Sequence, residues 1–360
     1  MEKNQALKSV MAVVLGLLAG AVLMLVMGFD PLVAYDSLFK GGLKNITKIG
    51  DTIASATPLI LTGLSVAFAF KTGLFNIGTP GQMLIGGFAS LVVGLTVNLP
   101  SIILLPLMVL AGMLAGALCG AIPGLLKAKF NVHEVVSSIM MNWIVLYFTQ
   151  YTIQNHFKGA TEDTSRALGL GNTLKAEWLT KLFGNSNALN LGIFLAIIAA
   201  FIVWFILNKT VLGYELKAVG FNRFGAEYAG MSVNRNIIVS MMIAGALAGL
   251  AGVTQYAGYA DCIQTGIMPS QGFNGIAVAL LGANSPLGVV LSALFFGILN
   301  VGKGAMSIKA NVPTELADTI MATIIYFSAT SLIMENLIKR FKNIKKNKTV
   351  VNNNERAVEK

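Results

Sequence analysis

Between Thr57 and Ser90 the chain starts as an apolar run, breaks at Lys71-Thr72-Gly73 and passes through Asn76-Ile77-Gly78-Thr79-Pro80-Gly81-Gln82. It then becomes apolar again at once. Backbone this irregular is tolerated at membrane depth only where protein buries it or where it lines a water-filled path. In transporters, short or Gly/Pro-interrupted spans point to the solute route. An ordinary loop between two spans is the competing reading. Asn76 and Gln82 tilt the choice toward the route, because uncharged amides suit a neutral polar solute.

The membrane setting follows from composition. The 360 residues are 55% hydrophobic and only 12% charged, whereas a soluble domain is about 25% charged. The net charge of +10 would suit nucleic acid, but the basic residues lie in short segments between apolar runs and in the C-terminal tail. That is the positive-inside pattern of a membrane protein, so no nucleic-acid partner is expected. Cys119 and Cys262 are far apart and have neither metal-ligand nor disulfide-framework spacing. The first apolar run, Val10 to Phe29, has the length of a spanning helix at about 20 residues. Gly28-Phe29-Asp30-Pro31 offers no small-residue cleavage site, so the run reads as a retained first helix.

Taken in order, the apolar runs predict an all-α polytopic protein, a single transmembrane domain over 1–360 with about ten spanning helices. The first half, 10–153, holds spans near 10–29, 52–70, 79–97, 101–126 and 135–153, with a polar stretch between the first two up to Gly50. Residues 154–189 read as a folded extracellular loop. The second half, 190–336, holds spans near 190–207, 236–257, 288–306 and 316–336, plus a short apolar piece from Phe273 to Ala283 that ends at Asn284-Ser285-Pro286. That piece covers about half of a ~30 Å hydrocarbon core and is the second broken element. Gly112, Gly116, Gly120 and Gly124 form one small-residue packing face, and Gly245-Ala246-Leu247-Ala248-Gly249 another. With ten crossings, most of the 26 Lys and Arg fall inside, including the basic tail at 337–360, and both termini are cytoplasmic. Broken elements in each five-helix half suggest an inverted repeat. Phe75-Asn76 against Phe273-Asn274 is the best internal match.

No catalytic constellation is present, so an enzyme is not expected. His133 and His156 are the only histidines and lack the partners of a triad or zinc site. Gly297-Ile298-Leu299-Asn300-Val301-Gly302-Lys303-Gly304 imitates a phosphate loop, but it ends in Gly and no strand precedes it. Asp51, Glu134, Glu315, Asp318 and Glu335 sit at span edges rather than deep within them, which argues against ion coupling.

An external energy source would then attach at 208–235. Leu216, Val219, Gly220, Ala226, Ala229 and Gly230 place small or apolar residues at roughly helical spacing, with charges between them. A compact amphipathic cytoplasmic helix of this kind suits docking in a partner's groove. Lying on the lipid surface is the alternative, and the scarcity of Trp, Leu and Phe on that face disfavours it.

The chain at this point resembles permease subunits of ATP-binding-cassette importers of the branched-chain amino acid, simple sugar and nucleoside group. The resemblance rests on TPLILTGLSVAFAFKTGLFNIG (57–78), GQMLIGG (81–87), HEVVSSIMMNWI (133–144), ELKAVGFNRFGAEYAGMSVNR (215–235) and GALAGLAGV (245–253). The first stretch is most similar to the branch that imports ribonucleosides. This implies a bacterial plasma-membrane protein, a second homologous permease, a cytoplasmic ATPase and an extracellular lipid-anchored substrate-binding lipoprotein. The chain itself would bind no cofactor, ATP and Mg being used by the partner ATPase. Glu215, Gly220, Asn222, Ala226 and Gly230 match the family's coupling region and become ATPase-contact candidates. Members of the family often carry an acidic residue before the Gly-Gln, where this chain has Pro80.

For a nucleoside solute the expected pathway contacts are Asn76, Gln82, Asn142 and Asn274 as amides, with Phe75 and Phe273 as ring faces. A permease for a simple sugar such as ribose, and a stand-alone secondary carrier, stay open as alternatives.

Overall fold

The computed structural model describes residues 2–330. The tail at 337–360 and the end of the span expected at 316–336 lie outside the described residues. The first helix, α1 (Glu2–Val26), ends at a turn through Gly28. Asp30 then caps α2 (Pro31–Leu43), its carboxylate accepting from the Leu32 N–H at 2.8 Å while Pro31 fills the first helical position. The stretch expected to be merely polar therefore contains a helix. Thirteen residues are too few to cross a bilayer, and Asp36 and Lys40 pair across one turn on its outer face at 2.8 Å. Its inner face, Ala34, Leu38 and Gly42, is buried.

Next come α3 (Ile46–Lys71), α4 (Thr79–Thr96), α5 (Ser101–Phe130) and α6 (Glu134–His156). Beyond a looped segment that contains α7 (Glu177–Leu182) lies α8 (Gly192–Lys209). The short α9 (Val211–Phe221) and α10 (Arg223–Tyr228) lead into α11 (Val233–Thr254). The chain closes with α12 (Ser270–Leu281), α13 (Pro286–Ala310) and α14 (Thr314–Ala329). Among the described residues the only strand-like features are two isolated bridges, Lys158 to Ser165 and Thr164 to Gln264. The protein is all-helical.

Seven helices among the described residues are long and apolar enough to cross a membrane: α1, α3, α4, α5, α8, α11 with its following turn, and α13. The other three expected crossings are α6, α12 and α14. Of these, α12 has only 12 residues, whereas α6 has 23 but carries too many polar side chains.

The two glycine faces predicted from sequence pack against each other. A Cβ on Gly116 would lie 2.3 Å from the Gly245 carbonyl oxygen, and one on Gly249 would lie 2.2 Å from that of Gly112. Neither position accepts a side chain, so backbone meets backbone along the α5–α11 seam, as small residues permit in membranes. The rest of the packing has a reciprocal plan. α3 lies against α12 and α13, while α11 lies against α4 and α5. α5 and α13 also end alike, each in a left-handed asparagine followed by Val: Asn131 (φ 53°, ψ 26°) and Asn311 (φ 52°, ψ 24°). The match expected between Phe75-Asn76 and Phe273-Asn274 is not positional, since the first pair precedes α4 and the second lies inside α12.

The looped segment after α6 is ordered by backbone pairing to the end of α11. The α11 helix widens into a π-helical turn over Gln255–Tyr259. The N–H groups of Leu174, Leu168 and Ser165 donate to the carbonyls of Ala257, Asp261 and Ile263. The Lys175 ammonium also pairs with the Asp261 carboxylate, clamping the loop over this end of the bundle.

Candidate functional site: where the two broken elements meet

The break after α3 is a built structure. Gly73 turns the chain with φ +73°, a conformation that costs glycine little. α4 then starts with Pro80 in its first turn, where the missing N–H would have had no helical partner. Asn76 and Gln82 form a reciprocal amide pair. The Asn76 Nδ2 donates to Gln82 Oε1 at 2.8 Å, and the Gln82 Nε2 donates to Asn76 Oδ1 at 3.1 Å. Asn76 Oδ1 also accepts from the Gly78 N–H, and its carbonyl accepts from the Thr79 hydroxyl.

Asn142 on α6 completes the loop from outside. Its Oδ1 accepts from the Gly81 N–H and its Nδ2 donates to the Ile77 carbonyl, both at 3.0 Å. These are backbone groups that the break leaves without a helical partner, and burial away from water demands a substitute. All three amides are buried. They are occupied with one another and with backbone, so they set the shape of the break.

The second broken element lands on the first. Gly272, near the start of α12, approaches Pro80 so closely that a Cβ there would sit 2.5 Å from the Pro80 Cα. The Thr62 hydroxyl of α3 donates to the Gln271 carbonyl at 3.1 Å. This contact brings Phe273 and Asn274 to the region of Pro80, with Phe273 exposed and Asn274 half-buried. Phe75 is half-buried, its ring centroid 5.1 Å from that of Phe70. The structure thus joins the expected pathway residues into one region, in which the amides form the frame and the ring of Phe273 is open.

The 208–235 segment folds onto the other end of the same break. The Thr210 hydroxyl caps α9 by accepting from the Gly213 N–H, and the Asn222 Oδ1 caps α10 by accepting from the Gly225 N–H. Leu216, Val219 and Ala226 point inward. Val219 and Ala226 share a core with Ala69, Leu74, Ile237 and Met241. The Glu215 carboxylate accepts from the Asn236 amide at 2.9 Å, and Gly230 turns the chain out of the unit with φ +81°. A Cβ on Gly220 would lie 2.3 Å from the Lys71 carbonyl oxygen, so α9 presses directly on the break.

Of the residues expected to dock a partner, Leu216, Val219 and Ala226 are buried inward, whereas Gly220, Asn222, Ala229 and Gly230 stay at the surface. The outward face carries Phe221, Phe224 and Tyr228, which are 92%, 80% and 97% exposed.

Sequence comparison agrees with this architecture. Residues 49–329 match the family described as "Branched-chain amino acid transport system / permease component". The guanosine ABC transporter permease protein NupP of Bacillus subtilis is 45% identical over 340 residues, covering 94% of this chain and 97% of that protein. The nucleoside ABC transporter permease protein NupB of Lactococcus lactis is 39% identical, covering 98% and 99%. A second guanosine permease of Bacillus subtilis, NupQ, is 32% identical, covering 68% of this chain and 78% of that protein. The chain is a multi-pass membrane protein and belongs to the family of branched-chain amino acid transport system permease components.

Proposed function

We propose that this chain is a permease subunit of an ATP-binding-cassette importer that moves nucleosides across the bacterial plasma membrane. The observation that carries the reading is near-full-length similarity to NupP and NupB, whose names specify guanosine and nucleoside. NupP and NupQ come from one organism and both resemble this chain, which supports a second, homologous permease as partner. A cytoplasmic ATPase would supply energy and hold the ATP and Mg, and an extracellular lipid-anchored receptor would deliver solute.

In this reading the ATPase seats on Phe221, Phe224 and Tyr228, while Glu215, Gly220, Asn222, Ala226 and Gly230 hold α9 and α10 in shape. ATP-driven movement of α9 passes through the Gly220–Lys71 contact to the break at 71–82 and on to α12. Asn76, Gln82 and Asn142 keep that break rigid, and Phe75, Phe273 and Asn274 lie beside the solute. The crossings number about ten, as a bilayer-length count of the apolar runs gives, with both termini cytoplasmic. The halves form an inverted repeat, a reading supported by the reciprocal packing of α3 and α11 and by the matched ends of α5 and α13.

Mild-detergent purification of the tagged chain tests the assembly, and uptake of labelled guanosine into proteoliposomes with ATP inside or outside tests the function. Co-purification of a second permease and an ATPase, with uptake only when ATP faces the ATPase, is expected. Uptake abolished by a protonophore yet indifferent to ATP would overturn the importer reading in favour of a secondary carrier.

A further inference from the structure

The outer face of α6 differs from the other exposed helix faces. α5 exposes Leu110, Leu114 and Leu118, and α8 exposes Phe194, Ile197 and Phe201, as lipid-facing helices do. α6 exposes, beside apolar Met140, Ile144 and Phe148, a row of polar-tipped rings at four-residue spacing, Trp143, Tyr147 and Tyr151, 51%, 63% and 68% open. The rings of Trp143 and Tyr147 are stacked, with centroids 6.1 Å apart and planes 26° apart. Among the described residues, the indole N–H and the two phenol hydroxyls make no hydrogen bond.

Tryptophan and tyrosine favour the ends of membrane helices, where the polar tip reaches water. Trp143 and Tyr147 are in the middle third of α6, where lipid would strand those tips in hydrocarbon. A wet, polar environment resolves the conflict. The adjacent residue, Asn142, about 100° round the same turn, holds the break between α3 and α4 through Gly81 and Ile77. The aromatic face is therefore rigidly tied to the junction of the broken elements.

We propose that Trp143, Tyr147 and Tyr151 form a stacking track for the nucleobase of the solute, on the wall of the translocation path. This rests on the nucleoside reading above. Three rings at one-turn spacing span about 12 Å along the helix axis, so a base can pass from face to face. Every base has a π-face, which makes such a track tolerant of base identity. The unpaired tips are free to donate to ring heteroatoms and ribose hydroxyls.

The test replaces Trp143 and Tyr147 together by Leu, and in a second variant both by Phe, in the complete importer reconstituted in liposomes. Guanosine uptake falls about tenfold in the Leu variant, the scale of one lost stacking contact. The Phe variant keeps most of it, and the second permease co-purifies with both. Full guanosine uptake by the Leu variant would overturn the track. So would loss of the second permease from the Leu variant, which would make this face a subunit interface. An unaltered complex that carries free ribose but no guanosine would instead overturn the nucleoside reading, and the track with it.

Discussion

Replacing Asn142 by Leu should destabilise the protein strongly, although the side chains are similar in size and the position is buried. The amide makes two hydrogen bonds, to the Gly81 N–H and the Ile77 carbonyl, each 3.0 Å long. Leu offers neither, and burial keeps bulk water from replacing them. Each buried backbone group left unpaired costs about 1–3 kcal/mol, so the pair costs about 2–6 kcal/mol. For domains of about 150–250 residues each kcal/mol lowers the melting temperature by about 2–4 °C, so a fall of at least about 4 °C is expected. The assay follows a thiol-reactive dye reporting exposure of buried Cys119 on heating, in a Cys262→Ser background. Gln154→Leu is the control, because Gln154 lies on the exposed side of the same helix. An unchanged midpoint for Asn142→Leu would refute the claim that this amide completes the break.

Gly220→Val should abolish ATP-driven uptake while leaving membrane insertion intact, since its Cβ would collide with the Lys71 carbonyl; uptake and subunit yield measured together check this. Phe221→Ser with Tyr228→Ser should reduce ATPase co-purification without lowering the melting temperature, because both rings are almost fully exposed. Gly249→Val should prevent folding, seen as loss of monodisperse protein, because its side chain would enter the α5 backbone at Gly112. An impermeant maleimide should label Cys262 on intact cells. Burial first, and then the neighbouring Asp261 carboxylate, raise the Cys262 thiol pKa, so its thiolate is scarce at neutral pH and labelling should accelerate as pH rises. Labelling only after cell lysis would reverse the assigned orientation.

Much of this architecture was legible in the linear chain, because lipid imposes one-dimensional rules. A helix that must satisfy its own backbone needs an apolar run of fixed length, so α1, α3, α5, α8, α11 and α13 announce themselves. The glycine rows of α5 and α11 also predicted close packing, since only small residues admit it. α2 escaped notice because a short helix with an internal ion pair carries no hydropathy signal, although Asp30-Pro31 is a cap and first-turn signature. The Asn-Val pairs at 131–132 and 311–312 were a better internal match than Phe75-Asn76 with Phe273-Asn274, and only their shared backbone geometry shows why.

By itself, then, the sequence determined that this protein lives in a membrane, breaks twice and carries a polar insert at 208–235. Those properties follow from composition and spacing. Tertiary structure alone decided what the marked residues touch. Asn76, Gln82 and Asn142 look like solute ligands in a linear reading, but they spend their hydrogen bonds on one another and on freed backbone. Leu216, Val219 and Ala226 of the expected docking stripe are taken by the core, while Gly220, Ala229 and Gly230 stay at the surface beside Phe221, Phe224 and Tyr228. A side chain's partner is set by which neighbour reaches it first, and these neighbours come from helices far apart in the chain.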